Sequence, residues 1–144
     1  MNRPGEPLGM IVVQVTVKSL DVADELTDLL LAAGYPRVAD ITEDVAHTDD
    51  KTLWQKRFHA SADPGRPTNV HIRVDGWPGQ QFALLFPAWI AANPDERVEY
   101  LALKHDAMAA APADSGEYAD AKEPWLAGAY RRAWAWADET GWRP

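Results

Sequence analysis

Hydrophobic and polar positions alternate most regularly over Asn69–Asp75, where Val70, Ile72 and Val74 interleave with His71 and Arg73. Successive side chains of an extended chain point to opposite faces, so this period of two predicts a half-buried strand. Upstream, Gln55, Arg57 and His59 alternate with Trp54, Lys56 and Phe58 in a second extended segment. Between the two, Asp63, Pro64, Gly65 and Pro67 are turn formers, so the whole stretch predicts an antiparallel hairpin. Centred on Gly65, the hairpin sets His59 opposite His71, Arg57 opposite Arg73 and Ser61 opposite Asn69. That register collects two imidazoles and two guanidiniums on one sheet face. Register follows turn type, and a slip of one residue would part these pairs.

Other segments carry their own periods. Met10–Val17 is apolar at nearly every position and predicts a central strand covered on both faces, with Gln14 and Thr16 sharing a face with Met10 and Val12. Ser19 or Asp21 caps a helix to Ala33 with Leu26, Leu29, Leu30 and Ala33 inward, and Gly34 stops it. Arg37–Thr42 is read as a short edge strand and Glu43–Lys51 as an acidic loop carrying a solvated His47. Gln80–Ala92 predicts a helix with Phe82, Leu85, Phe86 and Trp89 inward, kinked or split at Pro87. Asn93-Pro94 opens another, with Val98, Leu101, Ala102 and His105 on one stripe and His105 packed rather than ligating. After a loop at Ala109–Ser115, a last helix spans Tyr118–Thr140, its stripe Leu126, Tyr130, Ala133, Trp134 and Ala137, with a kink or fresh start at Pro124. A strand, a helix, further strands and then helices give an α/β or α+β layer fold, a mixed sheet with helices mainly on one face. Residues 1–9 read as a flexible lead and 10–144 as a single domain.

Composition narrows the function classes. With 144 residues and 47% hydrophobic content including seven tryptophans, the chain can bury a core without staples. It has no cysteine, so disulfides and thiolate metal sites are excluded, and its four scattered histidines form no zinc pattern. No metal or other cofactor is expected. A net charge of −8 argues against general affinity for nucleic acid. No apolar run approaches the ~18 residues of a membrane span, and the expectation is a soluble, cytoplasmic protein. Against the acidic background, Lys56, Arg57, Arg66 and Arg73 cluster around the hairpin. They are either a solvated sheet face or an anion pocket, since guanidinium forks match phosphate and carboxylate.

The stretches QVTVKSLDVADELTDLLLAAGYPRV, LWQKRFHASADPGRPTNVHIRVDGWPGQQFALLFPAWIAANP and AKEPWLAGAYRRAWAWA resemble the GrpB (UPF0157) family. Within it they are most similar to the GrpB-type domain carried C-terminally by actinobacterial dephospho-coenzyme A kinases. The likeness extends from Met10 to Pro144 and implies a nucleotidyltransferase-like mixed sheet. Family members precede the first strand with a Gly-Ser turn, which this sequence lacks before Met10, and Val12 stands where the family's metal-binding acid is expected. Valine cannot coordinate the divalent ion that nucleotidyl transfer needs, so the resemblance does not imply that activity here. No P-loop is present, which excludes dephospho-coenzyme A kinase activity in this chain itself.

Three functional readings follow. The first is a degenerate accessory domain whose remnant cleft binds an anionic small molecule or a partner protein. Arg57, Arg73, Lys56, Gln14 and Asn69 would be its ligands. The second is a repurposed, metal-independent enzyme in which His59 or His71 moves a proton while Arg57 and Arg73 clamp the substrate. The third is an interaction module that forms a homodimer through aromatic surface at Trp77 or Trp142.

Overall fold

The computed structural model describes residues 10–110 and 115–144. The expected lead at 1–9 and most of the loop expected at 109–115 lie outside them. The described residues form two compact units, one within 10–83 and the other within 84–144. The first holds strands β1 (Ile11–Val17), β2 (Lys56–Ala60) and β3 (Thr68–Val74) with the short helices α1 (Leu20–Glu25) and α2 (Thr27–Ala32). Their order in the sheet is β1-β3-β2, β1 running parallel to β3 and β2 antiparallel to it. The strand expected at the centre is therefore at an edge. β3 is central, and Ile11, Val12 and Val13 are exposed. The apolar run of β1 is covered only at its C-terminal end, where Val15 and Val17 join Val22, Ala23, Leu26, Leu30, Val70 and Ile72 in one core.

Ser19 caps α1 as expected, its Oγ accepting the Val22 amide at 3.2 Å, and Gly34 ends the helical stretch at φ +97°. The predicted single helix is interrupted at Leu26, which ends α1 and begins α2. The interruption leaves Leu26 and Leu30 against the core but turns Leu29 outward, 69% exposed, and exposes Ala33 as well.

The hairpin forms, but its register differs by one residue from a Gly65-centred turn. A four-residue turn closes with the Arg66 amide on the Asp63 carbonyl at 3.2 Å, and Asp63 Oδ1 accepts the Gly65 amide at 2.8 Å. Such a turn is centred between its two middle residues, so Lys56 pairs with Arg73, Phe58 with His71, His59 with Val70 and Ala60 with Asn69. The edge strand expected at 37–42 is broken into two single bridges, Arg37 with His59 and Glu43 with Gln55. His47 is not solvated. It is half-buried, with its ring edge-on to Trp54 and Phe82.

Helix α3 (Pro78–Ala92) runs through Pro87 without a break and buries Leu85 and Trp89 as expected. In the helical unit, α4 (Pro94–Ala110) and α5 (Ser115–Thr140) follow, and α5 likewise continues through Pro124. The inward side of α4 is displaced from its apolar stripe. Val98 is 69% exposed and His105 lies in solvent, while Tyr100 stacks on Trp125 at 5.5 Å and Ala107 is buried. The aromatic pairing outweighs the pattern because a ring buries far more area than a valine. Ala129, Ala133 and Ala137 are buried along one α5 stripe, and Arg132 lies over Trp89 and Trp125 while pairing with Glu96 at 2.9 Å. Trp142 is half-buried, its ring tilted against Trp136. Among the described residues no helix is long and apolar enough to cross a membrane.

Candidate functional site

Parallel pairing of β1 with β3 sets Gln14 beside His71 and Thr16 beside Arg73, while antiparallel β2 sets Lys56 and Phe58 across from Arg73 and His71. Residues directly opposite share a face, so these six form one surface of the sheet. Along the outer side of β2, the Asp44 amide donates to the Trp54 carbonyl at 2.8 Å, which brings the Asp44 side chain to the same surface.

There the carboxylate is gripped from two strands. Arg73 donates from Nε to Oδ2 at 2.9 Å and from Nη2 to Oδ1 at 2.8 Å, and Lys56 Nζ donates to Oδ1 at 2.7 Å. Arg73 Nη1 continues to Gln14 Oε1 at 2.8 Å, Gln14 Nε2 to the Gln80 carbonyl at 3.3 Å, and Gln80 Oε1 accepts the Gly76 amide at 3.1 Å. In the first turn of α3, a Cβ on Gly79 would lie 2.7 Å from Asp44 Oδ2, so any side chain there would press on the held carboxylate.

The protonation states follow from these contacts. His71 Nδ1 faces Lys56 Nζ at 3.1 Å and Arg73 Nη2 at 3.3 Å. A guanidinium only donates, so Nδ1 is the bare nitrogen and the ring proton sits on Nε2. Burial, reinforced by the Lys56 and Arg73 charges, pushes the imidazole down to about 3. Burial works upward on Asp44, but the hydrogen bonds and charges of Arg73 and Lys56 prevail and hold it at about 2. Burial also pulls Lys56 below its ordinary value, with Asp44 acting in the opposite sense. With His71 neutral, two cations and one carboxylate leave one positive charge on this face. Beside it lies a cleft of about 390 Å³ lined by Glu43, Asp44, Val45, Ala46 and Lys51.

Of the residues singled out from sequence, Gln14, Lys56, His71 and Arg73 are brought together. Asn69 shares their face at its far end, beside Val12 and across from Ala60. Arg57 and His59 are not at the site. The one-residue difference in register turns both to the opposite face, where Arg57 Nε binds Asp24 Oδ1 at 2.6 Å. His59 there is fully buried, and its Nδ1 donates to the Tyr35 carbonyl at 2.9 Å. His59 and His71 therefore lie on opposite faces of the sheet, and of the two proton-moving candidates only His71 stands beside Arg73. Three participants escaped the sequence reading: Asp44, Gly79 and Gln80. Part of the signal for Asp44 was available: the Glu43–Gln55 bridge continues the expected edge strand past Thr42 and sets Asp44 opposite Trp54, two pairs on from Thr42 and Lys56 and diagonal to the Lys56 side chain. Among the described residues no group of three or more histidine, cysteine or acidic side chains is placed to hold a metal ion.

Comparison with known proteins places these features in context. The GrpB protein family matches residues 9–132. A dephospho-CoA kinase of Mycolicibacterium paratuberculosis is 58% identical over 157 residues, covering 98% of this chain and 39% of that protein. Dephospho-CoA kinases of Mycobacterium leprae and Mycobacterium tuberculosis are 59% and 58% identical, over 93% and 94% of this chain and 36% of each relative. The chain thus spans less than two-fifths of the curated relatives it matches. Among solved structures, the conserved protein GrpB from Enterococcus faecalis superposes with a TM-score of 0.63 at 20% identity, covering 88% of this chain and 70% of that one.

Proposed function

This chain belongs to the GrpB family, and on that premise we propose that its charged sheet face binds a small anionic ligand bearing a carboxylate or phosphate, as an accessory rather than catalytic domain. The observation that carries the reading is the convergence of Arg73 and Lys56 on a single carboxylate, with a neutral His71 accepting from both cations through Nδ1. The face keeps an excess positive charge on a chain whose net charge is −8. A neutral imidazole with Nδ1 occupied and Nε2 protonated is a hydrogen-bond donor. It suits an acceptor oxygen on a ligand better than it suits proton abstraction. The similarity to part of the dephospho-CoA kinases sets the first probes: nucleotides, coenzyme A precursors, inorganic phosphate and simple carboxylates.

Thermal melts with and without magnesium test this. A ligand confined to the folded state adds about 2.7 kcal/mol at a hundred times its dissociation constant. The expected result is a magnesium-independent rise in Tm with at least one anion, lost in Arg73→Ala. No rise with any member of the panel overturns the reading.

A further inference from the structure

The Asp44 carboxylate sits where an anionic ligand would be held most strongly. It takes two of Arg73's donors in a planar fork together with the Lys56 ammonium, the arrangement by which proteins recognise carboxylates and phosphates. Its oxygen also fills the space left open by the missing side chain of Gly79. The main chain of Asp44 is anchored independently through the Trp54 carbonyl, so its side chain can leave the fork without unfolding the segment. Asp44 also lines the adjoining cleft, which gives the displaced carboxylate room beside Lys51.

We propose that Asp44 is the resident occupant of an oxyanion subsite formed by Arg73, Lys56 and the Gly79 turn, and that an external carboxylate or phosphate binds by displacing it. The proposal rests on the anion-binding reading above and adds competition to it. A tethered carboxylate presents a high effective concentration to its partners, so it weakens the apparent affinity for any rival by the fraction of time it occupies them. Removing the carboxylate frees the fork and leaves two uncompensated cations. The subsite then becomes a stronger anion receptor rather than a damaged one.

Anion affinity measured by calorimetry, with formate and inorganic phosphate as probes and chloride at matched ionic strength as control, decides the matter. Wild type is compared with Asp44→Gly and with the isosteric, neutral Asp44→Asn. The expected result is at least a tenfold gain in affinity for formate or phosphate in Asp44→Gly, with a Tm rise in formate that chloride does not give. Should Asp44→Gly fold only when formate is present, that rescue also supports displacement, because the free anion replaces the missing group. Equal affinity in wild type and both variants, or a loss in the variants, overturns displacement while leaving anion binding standing. Asp44→Gly unfolded even in formate, with Asp44→Asn binding no tighter than wild type, also overturns it. Absence of binding in every form removes the anion-binding reading itself.

Discussion

His71 should make this protein lose stability in mild acid, and the effect can be isolated. In the folded state the imidazole is held down to about 3, first by burial and then by Lys56 and Arg73, whereas the unfolded chain titrates near the ordinary histidine value of 6.5. The folded value is the lower one, so the unfolded state takes up the proton first. The contribution is intact above 6.5 and is lost as the pH falls towards 3. Between about pH 7.5 and about pH 4.5 the unfolded form is favoured by roughly a hundredfold, or about 2.7 kcal/mol, from this side chain alone. His71→Asn cannot titrate, yet its side-chain oxygen can accept from Lys56 and Arg73 as Nδ1 does. Urea unfolding of both proteins at the two pH values gives the comparison. Wild type should lose about 2–3 kcal/mol more than His71→Asn over the interval. Equal losses would refute the reasoning, since they would mean that His71 protonates as readily folded as unfolded.

Four further outcomes are expected. Asp44, held at about 2 against an ordinary 3.8, gives a second acid limb. Its stabilisation of about 2 kcal/mol is present above 3.8 and lost below, and Asp44→Asn should lack it in a pH-dependent melt. Gly79→Ala should lower Tm despite alanine's helix preference of about 1 kcal/mol, because its methyl meets Asp44 Oδ2; a stabilised variant would contradict the packing. Ser19→Ala should cost about 1 kcal/mol through loss of the α1 cap, read by chemical denaturation. A double-mutant cycle on Arg57 and Asp24 should give under about 1 kcal/mol, since Asp24 is 44% exposed, and the coupling should shrink in high salt.

The family resemblance, the strands, the Ser19 cap, the Gly34 stop and the Asn93-Pro94 helix start were legible because each rests on local chemistry or on long collinear stretches of residues. Four site members, Gln14, Lys56, His71 and Arg73, could be named from their types and spacing. The partition of the hairpin residues between faces could not. Arg57 and His59 depend on whether a turn is centred on a residue or between two, a half-residue difference that sends a side chain through the sheet. Leu29 and Val98 failed for a related reason. Helical period identifies a stripe, but interruption at Leu26 and the Tyr100–Trp125 stack decide which stripe is buried.

By itself, then, the sequence determined the first strand, the hairpin, the later helices, the α+β class, the GrpB likeness and a basic hairpin on an acidic chain. Tertiary structure alone decided that β3 rather than β1 is central, and that Asp44 meets two cations from different strands. These are contacts between residues far apart along the chain, Asp44 and Arg73 being 29 positions apart. Local propensity carries no information about which distant acid a buried guanidinium will find. The cost of leaving that guanidinium unpaired ensures that the fold supplies one.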